Sequence, residues 1–342
     1  MNKNVLPEAS RRERLLHTLA DGEFHSGETL AKQLAVTRAA VWKLIGTLRD
    51  IGVSIESLPR KGYRLPHAVQ LYDAEQIAAQ LSPDNRQALQ RIDVLLTVDS
   101  TNRYLTEHPA SDNAHAVLCV AEIQHAGRGR RGRSWLAPFG SGVCMSLGYW
   151  FDAQPAGFSA LTLVVGVALI RALRGLGVTD AGLKWPNDVL WHGRKLAGVL
   201  TEMRGEADGP AHVVIGIGCN LRMSTELRLQ LVENQAAPLA DMHEVLGTQL
   251  PDRNVLVAAF TNQLLQCLHT FAHSGFVPFM DEWQRYDALR GAEVKVLTAE
   301  QTVLGVARGV TADGNLLVET PAGVQRFISA EVSLRAAPSA AR

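Results

Sequence analysis

Residues 122–140 read Glu-Ile-Gln-His-Ala-Gly-Arg-Gly-Arg-Arg-Gly-Arg-Ser-Trp-Leu-Ala-Pro-Phe-Gly. Gly127, Gly129 and Gly132 are interleaved with Arg128, Arg130, Arg131 and Arg133. Glycine lets a backbone turn tightly and bring its N–H groups close to a ligand. Arginine adds a permanent charge and a planar fork of donors that matches carboxylate or phosphate oxygens. The combination reads as a loop that holds an anion. No Gly-Lys-Ser/Thr follows, so it is not a Walker loop. The alternative is a flexible arginine–glycine tether for nucleic acid. Against it, the strand-like runs Ala116–Ile123 and Val143–Phe151 on either side place the loop inside a folded domain.

Three further segments lie outward from this loop: Asp99-Ser100-Thr101-Asn102, Lys184-Trp185-Pro186-Asn187-Asp188 and Arg194-Lys195-Leu196-Ala197-Gly198. Each alone is weak. The first reads as a cap or turn, Pro-Asn-Asp as a β-turn, and a lysine at a strand start as a solvated edge charge. Taken in order with Gln124-x-x-Gly127-Arg128-Gly129-Arg130-x-Gly132-Arg133-x-Trp135, they are not coincidental. The chain resembles the biotin–protein ligases from about residue 15 to about residue 335.

That resemblance implies an ATP-dependent adenylation of biotin, with Lys195, Arg130 and Asp188 as the catalytic set. Activating an acid with ATP brings two anions together, so fixed cations are needed; Arg128, Arg130 and Lys195 are the candidates. By resemblance, Lys195 reaches the biotin carboxylate and α-phosphate, while Ser100 and Gln124 bind the neutral ureido ring. Thr101, Asn102, Gly127, Gly129, Trp135 and Gly198 complete the biotinyl-adenylate set. Asn187, Asp188 and Asn220 are assigned to the nucleotide, with Asp188 as the candidate for magnesium. Gly216-x-Gly218-x-Asn220 lacks a following helix and is no Rossmann fingerprint. No Ser-His-Asp, Cys-His or HExxH arrangement stands out.

Bulk properties agree with a folded protein of two or three domains. The chain has 342 residues, 46% hydrophobic and 20% charged, which argues against disorder. Its four cysteines are scattered without metal spacing, and three lie in apolar runs, the pattern of reduced thiols in the cytoplasm. The N-terminal residues carry no apolar signal region, and the run Ala160–Ile170 reads as too short to span a bilayer, so no membrane partner is expected. Formal net charge is zero, yet residues 1–66 carry 11 Lys/Arg against 7 Asp/Glu.

That basic first domain (1–66) reads as a winged helix-turn-helix. Leu15, Leu16 and Leu19 share a helix face; Ser26 caps a second helix carrying Leu30 and Leu34; Thr37 caps a third with Val41, Leu44, Ile45 and Leu48 at helical spacing. Val53–Ile55 and Gly62–Leu65 predict a hairpin with Pro59-Arg60-Lys61 at its tip. Thr37, Arg38, Trp42, Lys43, Arg60 and Lys61 are the candidate contacts to operator DNA. A scaffold module is the alternative, and these exposed basic residues argue against it.

Residues 67–83 read as a linker with a helical segment near Ala74–Leu81, and 84–275 as the catalytic domain. Seven strand-like runs, a His192-Gly193 hairpin turn and helices at Phe158–Leu176 and Asn254–Ser274 predict an α+β mixed sheet. Residues 276–342 alternate short strands and turns and predict a small closed β-barrel, with 336–342 as a frayed end. The resemblance implies a class II synthetase-like central domain and an SH3-like C-terminal domain. It further implies transfer of biotin to the biotin carboxyl carrier protein of acetyl-CoA carboxylase, repression of a biotin operon, and a homodimer when biotinyl-AMP is bound. Two rivals are a lipoate ligase, which shares the fold but not the arginine loop, and a repressor with an inactive sensor domain.

Overall fold

The computed structural model describes residues 8–110, 116–205, 209–233, 238–298, 301–328 and 333–336. The first domain contains α1 (Glu8–Leu19), α2 (Gly27–Leu34), α3 (Arg38–Asp50), β1 (Glu56–Leu58) and β2 (Gly62–Arg64). The caps act as their chemistry dictates: Ser26 Oγ accepts from the Thr29 N–H, and Thr37 Oγ1 from the Ala40 N–H. Leu15, Leu19, Leu30, Val41, Ile45 and Leu48 close a small core. The expected first wing strand at Val53–Ile55 is displaced. Val53 and Ile55 are buried in that core, so their alternation reflects packing rather than pairing, and the ladder begins at Glu56.

The central domain runs through α4 (Ala74–Ala79), α5 (Pro83–Ala88), β3 (Leu89–Val98), α6 (Thr101–Glu107), β4 (Ala116–Gln124), β5 (Gly142–Phe151) and α7 (Leu161–Gly175). It continues with β6 (Ala181–Lys184), β7 (Asp188–Trp191), β8 (Arg194–Gly205), β9 (Ala211–Asn220), α8 (Thr225–Glu233), α9 (Met242–Leu246), α10 (Arg253–Ser274) and α11 (Met280–Tyr286). The segment expected as a linker sends Tyr72, Ile77 and Leu81 into the central core. Strand order is β3-β4-β5-β9-β8-β7-β6, parallel only between β3 and β4. The β7–β8 turn is made by His192 and Gly193, both at positive φ (46° and 73°), as a two-residue hairpin loop demands.

Helices α7 and α10 cover one sheet face. With the 3-10 turn that precedes α7, Phe158–Gly175 is long and apolar enough to cross a membrane, as is α10, counter to the short run read from the sequence, but most of each is buried inside the protein. Alternation along β9 sorts the two faces: Val213, Ile215, Ile217 and Cys219 join that core, while Val214 packs with Leu105 of α6 on the other side. Gly216 and Gly218 lie on that second face, which α6 covers only in part.

The C-terminal strands are β10 (Glu293–Leu297), β11 (Thr302–Val310), β12 (Leu316–Thr320), β13 (Gly323–Phe327) and β14 (Ser333–Ala336). They form an antiparallel sheet in the order β13-β12-β11-β10-β14. Among the described residues β13 and β14 do not pair, so the expected closure of the barrel is not seen; the expected frayed end beyond Ala336 lies outside the described residues. Val294, Val296, Leu316 and Val318 merge with the central core. The first domain is joined too, because Ile123 of β4 belongs to its core and Phe139 packs against it.

Candidate active site

The second sheet face is open where glycine replaces side chain. On β9 a Cβ at Gly216 would fall 2.2 Å from Asn102 Oδ1, and one at Gly218 would fall 2.2 Å from Trp135 Cε2. Asn102 and the Trp135 indole therefore lie directly on the strand. Ser100, Thr101, Asn102, Gln124, Arg128, Gly129, Arg130, Trp135, Asn187, Asp188, Lys195 and Gly198 line one cleft of about 140 Å³ there. Small-molecule sites usually span about 300–1,000 Å³; here the indole takes part of the room.

Lys195 reaches the cleft through an irregularity in β8. Leu190 of β7 opposes Lys195 but Val189 opposes Ala197, leaving Leu196 as an extra residue. Such a bulge re-aims the neighbouring side chain. The Lys195 N–H donates to Pro238 O (2.7 Å), and Asn220 Nδ2 donates to Lys195 O (3.1 Å) and Ala240 O (3.0 Å). Asn220 thus braces the strand from behind and does not line the cleft. Gly127 is also off the wall: its carbonyl accepts the Trp135 N–H at 2.8 Å, and a Cβ there would meet the Trp135 carbonyl oxygen at 2.4 Å.

Every cation assigned to the ligand has a resident polar partner. Lys195 Nζ lies 2.6 Å from Asp188 Oδ1, Arg128 Nη2 lies 2.9 Å from Glu202 Oε2, and Arg130 Nη1 donates to Asn187 Oδ1 at 3.3 Å. Burial lowers the Arg130 pKa, Asp188 opposes that shift, and Arg131 and Arg133 add to it. Asn187 Nδ2 donates to Val199 O (2.8 Å), which fixes the turn between β6 and β7. The neutral end of the cleft is a closed network. Gln124 Oε1 accepts from the Thr101 N–H (2.9 Å), and Ser146 Oγ bonds Thr101 Oγ1 (2.7 Å) and Asn102 Oδ1 (2.6 Å). Ser100 makes no capping bond at the start of α6.

Ser146 and Glu202 belong to none of the motifs, and Trp185, inside one of them, was given no role of its own. Trp185 is buried and donates from Nε1 to Gly314 O at 3.0 Å, tying the β6–β7 turn to the C-terminal sheet. A serine and a glutamate inside strand-like runs carry no motif signal; only sheet register puts them beside Asn102. The cysteines offer no nucleophile, since burial pushes Cys144 and Cys267 up to about 11 and raises Cys119 and Cys219 likewise.

In the first domain Thr37, Arg38, Trp42 and Lys43 lie exposed at the start of α3, with Trp42 67% exposed. Arg60 and Lys61 are exposed at the wing tip, where Lys61 Nζ sits 5.6 Å from the Phe24 ring centre. All six residues assigned to DNA are therefore solvent-exposed, four at the start of α3 and two at the wing tip.

Three family models match the chain: an HTH domain over residues 11–64, the biotin/lipoate A/B protein ligase family over 94–220, and the biotin protein ligase C-terminal domain over 291–335. The Bifunctional ligase/repressor BirA of Salmonella typhimurium is 38% identical, over 94% of this chain and 97% of that protein. Its namesake in Escherichia coli is 37% identical over 95% and 97%. Among solved structures, the biotin protein ligase from Aquifex aeolicus in complex with biotin and ATP superposes with a TM-score of 0.60 at 28% identity, covering 72% of this chain and all of that one.

Proposed function

The chain belongs to the bifunctional ligase/repressor family of biotin–protein ligases, and from that premise we propose that its cleft joins biotin to ATP and passes the product to a protein lysine. The observation that carries this reading is the convergence of Lys195, Arg128 and Arg130 on one cleft whose other end is neutral and hydrogen-bonding. An acid and a nucleotide need the first; a ureido ring needs the second.

The biotin carboxylate attacks the α-phosphorus of ATP, and pyrophosphate leaves. Lys195 and Arg130 screen the two anions and stabilise charge growing on the phosphoryl oxygens. Asp188 and Asn187 hold these cations in place until substrate arrives. Trp135 and the arginine loop keep water from the mixed anhydride. The amine of an acceptor lysine, on a biotin carboxyl carrier protein, then attacks the acyl carbon and releases AMP. Magnesium fits only as a companion of ATP. Asp188 is the sole carboxylate among the described cleft-lining residues, and no cluster of three His, Cys, Asp or Glu side chains able to hold a metal occurs among the described residues. Its shell would be completed by phosphate oxygens and water; bound there, it would withdraw charge from the phosphates.

The winged helix supports repression through operator DNA. A single such domain covers one half-site, so a palindromic operator calls for a dimer, which we assign to the central domain when biotinyl-AMP orders the arginine loop. Two measurements test the pair of activities. With ATP, magnesium and a carrier domain, the acceptor should gain the mass of one biotinyl group. Sedimentation equilibrium should show a monomer–dimer constant that shifts when biotin and ATP are present; an unshifted constant leaves only the ligase.

A further inference from the structure

Glu202 links the arginine loop to the neutral end of the cleft through a single carboxylate. Its Oε2 accepts from Arg128 Nη2 at 2.9 Å and from Asn102 Nδ2 at 2.8 Å. Asn102 cannot drift, because its Oδ1 is held by Ser146 and its amide packs on Gly216, and its Nδ2 also donates to Leu200 O at 3.2 Å. The Asn102 end is thus fixed by several bonds, while the Arg128 end is open to solvent: Arg128 is 45% exposed and Glu202 33%. Gly198, Leu200 and Glu202 alternate onto the same face of β8, which sets the carboxylate at the rim and not on the cleft floor.

We propose that Glu202 is a positioning residue that serves as the resident counter-ion of Arg128, holding the arginine loop in the ligand-free protein until the adenylate phosphate displaces it. Carboxylate and phosphate compete for one guanidinium. Charge-assisted hydrogen bonds are the strong ones, and a guanidinium engaged with a carboxylate must give it up, at least in part, to engage a phosphate. The same oxygen also touches the residue that shapes the ureido end, so filling the neutral end and releasing Arg128 act on one side chain. Glu202 thereby sets how far the loop favours the bound anion over its own latch.

The inference rests on the biotin-adenylating reading, and its test separates the two. Binding of a neutral probe (biotin amide) and an anionic probe (a non-hydrolysable biotinyl-adenylate analogue) is measured by calorimetry for the full chain, Glu202→Gln, Arg128→Gln and the double variant. Failure of the unaltered chain to bind either probe refutes the adenylating reading itself. Glu202→Gln keeps an acceptor for Asn102 and removes the charge. It should bind the adenylate analogue roughly 5–10-fold tighter, the net scale of one exchanged hydrogen bond at a half-exposed site, while biotin amide stays within about two-fold. In the Arg128→Gln background the same change should have no effect on the analogue. Equal weakening of both probes would make Glu202 a mere brace, and an unchanged or weaker analogue affinity would likewise overturn the latch. Glu202→Asp, which keeps the charge, should restore the unaltered ratio between the two probes.

Discussion

At the residue scale the site is a set of ion pairs awaiting exchange. Arg130 is the most committed of the loop arginines, because burial lowers its pKa and its Nη1 donates to Asn187. Arg130→Ala should therefore speed the loss of biotinyl-adenylate by an amount worth about 1.5–3 kcal/mol, the value of a hydrogen bond to a charged group. Arg133→Ala, at the far end of the loop, should matter less. Stopped-flow off-rates check this, and equal effects would mean that the loop acts by bulk charge. A second titratable group lies outside the chemistry. Asp287 sits beside Leu183 of β6 with Oδ2 buried and unpartnered, and burial pushes its pKa up from 3.8 to about 6. The folded state then holds a proton that the unfolded chain has already released between these values, so stability falls as pH rises from about 4 to about 6. Asp287→Asn should melt higher than the unaltered protein above pH 6, with the gap closing below pH 4. A gap that persists at pH 4 would assign it to packing.

At the element scale the decisive feature is the glycine-lined floor of β9. Gly218→Ala puts a methyl where Trp135 Cε2 lies, so the indole must move off the strand. Biotin affinity should fall by tenfold or more, about 1.4 kcal/mol, with little change in the far-ultraviolet spectrum; retained affinity would show that Trp135 does not shape the pocket. These contacts mark the limit of what the chain reveals by itself. The strands of the central sheet, its two long helices and the His192-Gly193 turn were legible, since alternation, length and turn chemistry report them directly. Helix α4 was legible near Ala74–Leu81, but α5, α6, α9 and α11, each of one or two turns, give too few residues for period to show, and α6 begins inside the Ser100-Thr101-Asn102 motif that reads locally as a turn. The wing strand was misplaced because Val53 and Ile55 alternate for the core and not for a partner. The cleft residues were named by motif, but Ser146 and Glu202 become part of the site only through register.

At the scale of the molecule the three domains share surfaces. Glu122 accepts the Tyr72 N–H (2.7 Å) and Arg253 Nη1 (2.7 Å), and Arg253 also donates to Gln70 O (3.0 Å), so a buried ion pair anchors the segment that follows the first domain. Ile123 and Phe139, which flank the arginine loop, pack against the winged-helix core. Deleting residues 1–66 should therefore do more than abolish operator binding in gel shifts. It strips apolar cover from both ends of the loop, and adenylate should leave faster; an unchanged off-rate would show the two functions to be independent. The central claim is that this cleft makes a mixed anhydride with Lys195 as its charge stabiliser. The most direct measurement is a rapid-quench single turnover with labelled biotin, ATP and magnesium, without any acceptor. The unaltered protein should form about one equivalent of biotinyl-adenylate, and Lys195→Ala should form it more slowly by about 3 kcal/mol, some hundredfold, with biotin affinity little changed. Absence of adenylate from the unaltered protein, or an equal rate in both, would contradict the account.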